Sequence, residues 1–111
     1  MLIEVTADEF TASQMRAYAE YRFFAMLVPH ARLIRTVKVL VRKASQPHTA
    51  GAVTCLADVV MEQSEPIHVR VTRRNPCGAI DRAAERIERL MRRQVEADVA
   101  GPSDQRTGGE R

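Results

Sequence analysis

The chain has 111 residues, which suits one small domain with a modest core. Hydrophobic residues make up 45% and charged residues 28%, as in an ordinary globular protein, and a net charge of +3 excludes a polycationic chain. No stretch approaches the ~18 apolar residues of a membrane span, and the N-terminus MLIEVTADEF has no signal-peptide pattern, so we expect a cytoplasmic protein without a membrane segment.

The first predicted elements are a short strand and a helix. Residues 2–6 alternate in polarity, which predicts a β-strand. Thr11 or Ser13 is a suitable N-cap for a helix that continues to about Val28. The expected core face of this helix follows the helical period and consists of Met15, Ala19, Phe23 and Met26.

The middle of the chain predicts three strands joined by turns. Residues 33–43 form the clearest strand, because valines alternate with basic or larger residues. The breaker-rich stretch 45–51 predicts a hairpin loop, and residues 52–61 predict the next strand. Residues 67–72 complete the meander, with every second residue facing inward.

A second helix and a tail follow the meander. Asn75 and Pro76 are a good N-cap and first helical residue for a helix that reaches about Val95. We assign residues 1–97 to one domain and 98–111 to a disordered C-terminal tail without apolar anchors. The order β-α-β-β-β-α predicts an α+β fold in which two helices pack on one face of a four-stranded sheet.

Four arginines form a narrow stripe on the second helix. Arg82, Arg86, Arg89 and Arg93 follow one another at spacings of four, three and four, and the apolar residues centre roughly 140° away. The segment 70–93 holds eight Arg against three acids, so it carries +5 and the rest of the chain −2. This pattern fits either a solvated charged face or a surface for a phosphate-rich partner.

The residues that fill these elements resemble a known family. Strand and helix begin IEVT and TASQMRAYAEYRF, the valine strand reads VKVLVRK, the last strand IHVRVTRR and the last helix AIDRAAERIERLMRRQ. Together, over about residues 1–95, these stretches resemble the ribosome hibernation-promoting factor family, also called ribosome-associated inhibitor A or the sigma-54 modulation protein family. The chain looks like a divergent short form.

The resemblance implies an RNA-binding fold laid out like double-stranded-RNA-binding domains. Such proteins occupy the tRNA and mRNA channel of the small ribosomal subunit and stall translation in stationary phase or stress. It also implies that basic side chains contact rRNA and that no cofactor is needed. The matching residues are Arg16 and Arg22 on the first helix, and Arg82, Arg86, Arg89 and Arg93 on the last.

Three aromatic residues on the first helix leave a second interpretation open. Tyr18, Tyr21 and Phe24 lie off the predicted core face and could stack on bases or contact a protein. The alternative function is therefore a protein–protein module on the same fold, which forms a homodimer through the first helix or docks to a regulator and no longer binds ribosomes.

Catalytic and metal-binding patterns are missing from the sequence. No catalytic triad, carboxylate pair or phosphate-binding glycine loop is present. His30, His48 and His68 lack ligand spacing, and Cys55 and Cys77 are expected to be ordinary thiols. We therefore predict a protein that is not an enzyme and holds no metal.

Overall fold

The computed structural model describes residues 1–8, 13–44 and 51–100. The predicted order of strands and helices is confirmed, with one 3-10 segment added between the first helix and the second strand. The elements are β1 (Leu2–Ala7), α1 (Ser13–Leu27), the 3-10 segment (Val28–Leu33), β2 (Ile34–Lys43), β3 (Val53–Met61), β4 (Ile67–Arg73) and α2 (Pro76–Ala100).

The four strands form one mixed sheet in the order β1-β2-β3-β4. β1 runs parallel to β2, while β2, β3 and β4 form an antiparallel meander. One continuous apolar row crosses the sheet by register and consists of Val5, Val39, Ala57 and Val69. This arrangement leaves β1 and β4 as the two edges of the sheet.

The core lies between the sheet and the two helices. On α1, Ala19 and Phe23 are fully buried, and Leu27 extends the same row by one more turn although it was not predicted. Met15 and Met26 are only partly buried and pack against the rim of this core. The fully buried apolar residues of α2 are Ala79, Ile80, Ala83, Ala84, Ile87 and Met91.

α2 begins with the predicted cap and ends later than predicted. Asn75 caps the helix, because its Oδ1 accepts hydrogen bonds from the backbone N–H groups of Cys77 (2.8 Å) and Gly78 (3.3 Å). The helix continues to Ala100, so residues 98–100 are helical rather than part of a tail. The rest of the predicted tail lies outside the described residues.

Two predicted connections, one before α1 and one between β2 and β3, fall largely outside the described residues. Thr11, one of the two predicted caps of α1, lies outside the described residues, as does most of the loop 45–51. Gly51 is described and has φ +85°, a left-handed conformation that favours glycine in the turn two residues before β3. None of the described helices is long and apolar enough to cross a membrane.

Candidate nucleic-acid interface

The position of α2 in the helix layer decides which of its side chains reach solvent. α1 lies over β1, and α2 lies over β3 and β4 and packs beside α1. One side of α2 therefore faces the core, a second faces α1, and the side opposite α1 faces outward and toward the β4 edge. The charged residues divide between these last two directions.

Asp81 lies on the side of α2 that faces α1 and joins the two helices. Its Oδ1 accepts hydrogen bonds from the Tyr18 hydroxyl (2.7 Å) and from Arg22 Nε (2.9 Å). The hydrogen bond to Asp81, with burial and the Asp81 charge adding to it, raises the pKa of Tyr18 from 10.0 to about 12. Tyr18 and Arg22 thus hold α1 against α2.

Glu88 makes a second connection on the same side of α2. Its carboxylate accepts two hydrogen bonds from Arg92, at 2.6 Å and 3.3 Å, and one oxygen lies 3.1 Å from Nε2 of His30. The hydrogen bond from Arg92 is the main cause that lowers the pKa of Glu88, with the contact to His30 adding to it. Glu88 is also well buried for an acid, with 17% of its side chain exposed.

The Glu88 contacts predict a pH-dependent contribution to stability. Replacing Glu88 with Gln should lower the free energy of unfolding at neutral pH by about 1 kcal/mol, because the charged hydrogen bonds to half-exposed Arg92 are lost. Because folding lowers the pKa of Glu88, this contribution is complete above the ordinary value of 4.5 and is lost as the pH falls through the folded-state value. Urea unfolding at a series of pH values measures it.

The matched control is Glu85→Gln on the preceding turn. Glu85 is 46% exposed and lies 3.7 Å from Arg82, so its loss should change stability little. An effect of Glu88→Gln that stayed constant from neutral to acid pH would contradict the assignment.

The outward side of α2 carries arginines that no acid neutralises. Arg86, Arg89 and Arg93 are exposed, and within the described residues none of them has an ion-pair partner. Arg86 Nη1 donates to the backbone oxygen of Arg70 at 3.5 Å, so its side chain reaches across the edge strand β4. We call Arg86, Arg89 and Arg93 the arginine surface.

The surroundings extend this surface along the strand. Arg93 lines a shallow cleft with Pro66 and His68 at the start of β4. Arg73 and Arg74 are exposed at the other end of the same strand. The arginine surface therefore lies on a helix face beside a strand edge, and it presents guanidinium groups that can bind phosphates bidentately.

Comparisons with known proteins support the fold. No family model matches the sequence, and no curated protein matches it. A ribosomal subunit interface protein from Coxiella burnetii superposes with a TM-score of 0.72 at 13% identity, over 87% of this chain and 100% of that chain. The N-terminal domain of Protein Y from Thermus thermophilus superposes with a TM-score of 0.64 at 19% identity, over 85% and 99%. The chain has the fold of these two proteins. The fold that the sequence resemblance implied is thereby confirmed.

On this fold the predicted RNA-contacting residues fall into two groups. Arg86, Arg89 and Arg93 lie together on the arginine surface, and Arg82 lies one turn before them in weak contact with Glu85. Their contact with rRNA stays a prediction. The sequence did not show that Arg86 reaches the backbone of Arg70; the side chain of Arg70 alternates with buried Val69 and Val71 and so lies on the sheet face away from the helices.

The two predicted arginines of α1 are placed differently. Arg16 is exposed, and within the described residues no contact joins it to the arginine surface. Arg22 is 28% exposed and uses its Nε to bind Asp81, so its guanidinium is partly committed to the helix pair. For Arg22 the geometry therefore favours a structural role, with its remaining N–H groups able to reach a ligand.

The three aromatic residues of the predicted patch do not share one surface. Tyr18 is half-buried between the helices, whereas Tyr21 and Phe24 are 65% and 54% exposed. The latter two line a groove beside the N-terminal end of β1. Of the three, Tyr21 and Phe24 therefore offer the exposed surface for an interface, and they lie on the side of α1 away from α2.

The cysteines and histidines give no reactive centre in the described part of the chain. Cys55 is buried, and that burial raises the pKa of its thiol to about 12, which keeps it protonated and unreactive. Among the described residues no group of three His, Cys, Asp or Glu side chains could hold a metal ion.

Proposed function

We propose that the chain is a translation inhibitor of the hibernation-factor type, which binds rRNA of the small ribosomal subunit in the cytoplasm. The observation that carries the proposal is the arginine surface, whose cations on α2 lack acidic partners within the described residues. The fold it shares with a ribosomal subunit interface protein supports the ribosome as the source of the phosphates.

The acids of the segment 70–93 are placed so that its outward face attracts phosphates more strongly than the net charge of the segment suggests. Asp81 binds Tyr18 and Arg22 of α1, and Glu88 binds Arg92 and His30, so both acids already have partners other than the arginine surface. Glu85 forms an exposed ion pair with Arg82, which lies one turn before the arginine surface. The field outside α2 toward the β4 edge is therefore set by the arginine surface, which favours an RNA backbone.

The proposed mechanism is occlusion without a chemical step. A-form RNA is recognised mainly through its phosphates and shape, and a rigid helix with arginines one turn apart can contact successive phosphates. Arg86 and Arg93 are two turns apart, or about 10 Å along the axis. Bound in the tRNA and mRNA channel, the domain would exclude both ligands, so no cofactor or catalytic residue is required.

The proposal predicts salt-sensitive migration with the small subunit. On sucrose gradients the purified chain should migrate with small subunits at low salt and be released as the salt concentration rises. Three arginine–phosphate contacts give a slope of roughly −2.5 in log K against log salt, or a roughly 30-fold loss of affinity between about 50 and 200 mM. Absence from small subunits and whole ribosomes at low salt would refute the proposal.

A further inference from the structure

One face of the sheet is left open by the helices. Both helices pack on the face whose valines are buried, so within the described residues the opposite face carries no helix. Side chains on this open face alternate along the strands with the buried ones. At its centre they are Glu4, Lys38, Leu40, Leu56, Asp58 and His68. The open face is therefore available to a partner.

A row of charged and polar side chains crosses the open face from β1 to β4. By register it consists of Glu4, Lys38, Asp58 and His68, so carboxylates alternate with nitrogen-bearing side chains. Asp58 Oδ1 lies 2.6 Å from Nδ1 of His68. Lys38 is exposed and makes no ion pair in the part of the chain that the structure describes. Its ammonium group is therefore available to a carboxylate of a partner.

The neighbouring row of the open face is apolar at its centre. Leu40 of β2 pairs by register with Leu56 of β3. Both leucines are only partly buried, and they line a shallow cleft together with Lys38 and Asp58. A partner that covers this face must place apolar side chains on the leucine row and opposite charges on the charged row, because a covered charge needs a partner.

We propose that the open face packs against the open face of a second copy of this chain, about a twofold axis that runs along the strands between β2 and β3. This axis sets β2 of one copy over β3 of the other. Lys38 then faces Asp58 of the second copy, and Leu40 faces its Leu56. The symmetry repeats both contacts, so each dimer contains them twice.

The charge pattern selects this orientation over the alternative. A twofold axis across the strands would place each strand on its own counterpart. With that axis in the central rows, Lys38 would face Lys38, Leu40 or Arg42 of the second copy. With the axis along the strands, β1 lies over β4, so Glu4 faces His68 and the charged row is complementary over its whole length. The face is thus complementary to itself in one orientation.

The size of the face predicts a weak dimer. Packed sheets lie about 10 Å apart and are turned by about 30°, and the central pairs stay opposed because they lie close to the axis. Four strands about 4.8 Å apart, with seven residues of about 3.3 Å each, give a face of about 440 Å² per copy. A total near 900 Å² is below that of a stable complex, so we expect association at about 10–500 μM.

Sedimentation velocity of the full chain across that concentration range tests the proposal. We expect a concentration-dependent dimer. Lys38→Glu and Asp58→Lys should each weaken it at least about tenfold, because like charges then meet twice in every dimer. An equimolar mixture of the two variants should restore the dimer, since both pairs across the mixed dimer again have opposite charges. Mixing does not change how either variant folds, so this recovery isolates the contact between copies.

The control variant is Tyr21→Ser/Phe24→Ser, whose exposed side chains lie on α1 and not on the open face. It should leave the dimer unchanged. A monomeric wild type, a single variant that dimerises as well as the wild type, or a mixture that stays monomeric would overturn the proposal. Loss of the dimer in the control would overturn it too, because the interface would then lie on α1. Lys38→Glu should still migrate with small subunits, since the arginine surface lies on α2, so failure of this proposal and failure of ribosome binding are distinguishable.

Discussion

Replacing Arg86, Arg89 and Arg93 together by Glu should abolish migration with the small ribosomal subunit and leave the domain folded. Hydrogen bonds to charged groups contribute about 1.5–3 kcal/mol each, so losing three removes about 4 kcal/mol or more of binding free energy. That corresponds to an affinity at least about a thousandfold lower. Folding should be preserved, because all three side chains are exposed and only Arg86 makes a described hydrogen bond, at 3.5 Å.

The control for this variant should make the same change in net charge at a different surface of the domain. Arg35, Lys38 and Lys43 are exposed on β2, and the exposed ion pair of Arg35 with Glu62 contributes little to stability. Each replacement by Glu changes the charge by two, so three replacements in either set take the net charge from +3 to −3. If long-range charge alone governed binding, both triple variants would lose it equally. Unchanged migration of the Arg86/Arg89/Arg93 variant would exclude this surface from the ribosome contact.

The fold could be predicted from the sequence because each element carries a local signal. Alternating valines mark β2, and the pair Asn75 and Pro76 marks the start of α2, where the predicted cap hydrogen bonds are present. Helix ends were less well predicted. α2 passes Val95 and reaches Ala100, since the first Gly and Pro after Val95 are Gly101 and Pro102.

The candidate site could be predicted only in part. Helical periodicity placed the arginines on one stripe and the acids in another sector. It could not show that α2 lies over β4, which brings Arg86 to the backbone of Arg70. Nor could it show that Asp81 meets Tyr18 and Arg22 across the helix pair, because residues about sixty positions apart come together only through tertiary packing.

Replacing Asp81 by Ala should be the most destabilising change at the helix pair. It leaves the Tyr18 hydroxyl and the Arg22 guanidinium without their shared acceptor. Two fully buried hydrogen bonds to a charged group would contribute more than about 3 kcal/mol to the free energy of unfolding. Because the side chains of Arg22 and Asp81 are 28% and 36% exposed, we expect Asp81→Ala to lower the free energy of unfolding by about 2–3 kcal/mol. Urea unfolding measures it, and Tyr18→Phe, which removes only one of the two bonds, should cost less than half as much. A loss below that of Tyr18→Phe would contradict the shared-acceptor geometry.

The pH dependence of Tyr18 gives the same contact an independent test. The phenol keeps its proton in the folded chain because it donates that proton to Asp81, and its pKa rises from 10.0 to about 12. A group whose pKa is raised by folding contributes fully below its unfolded value and loses that contribution as the pH rises through the folded value. The stability advantage of the wild type over Tyr18→Phe should therefore be complete below pH 10 and disappear by about pH 12.

In an Asp81→Ala background the same substitution removes no hydrogen bond to Asp81, so the pH-dependent part of the difference should vanish. A difference that remained constant through this range in both backgrounds would show that Tyr18 stabilises the domain by packing rather than through Asp81.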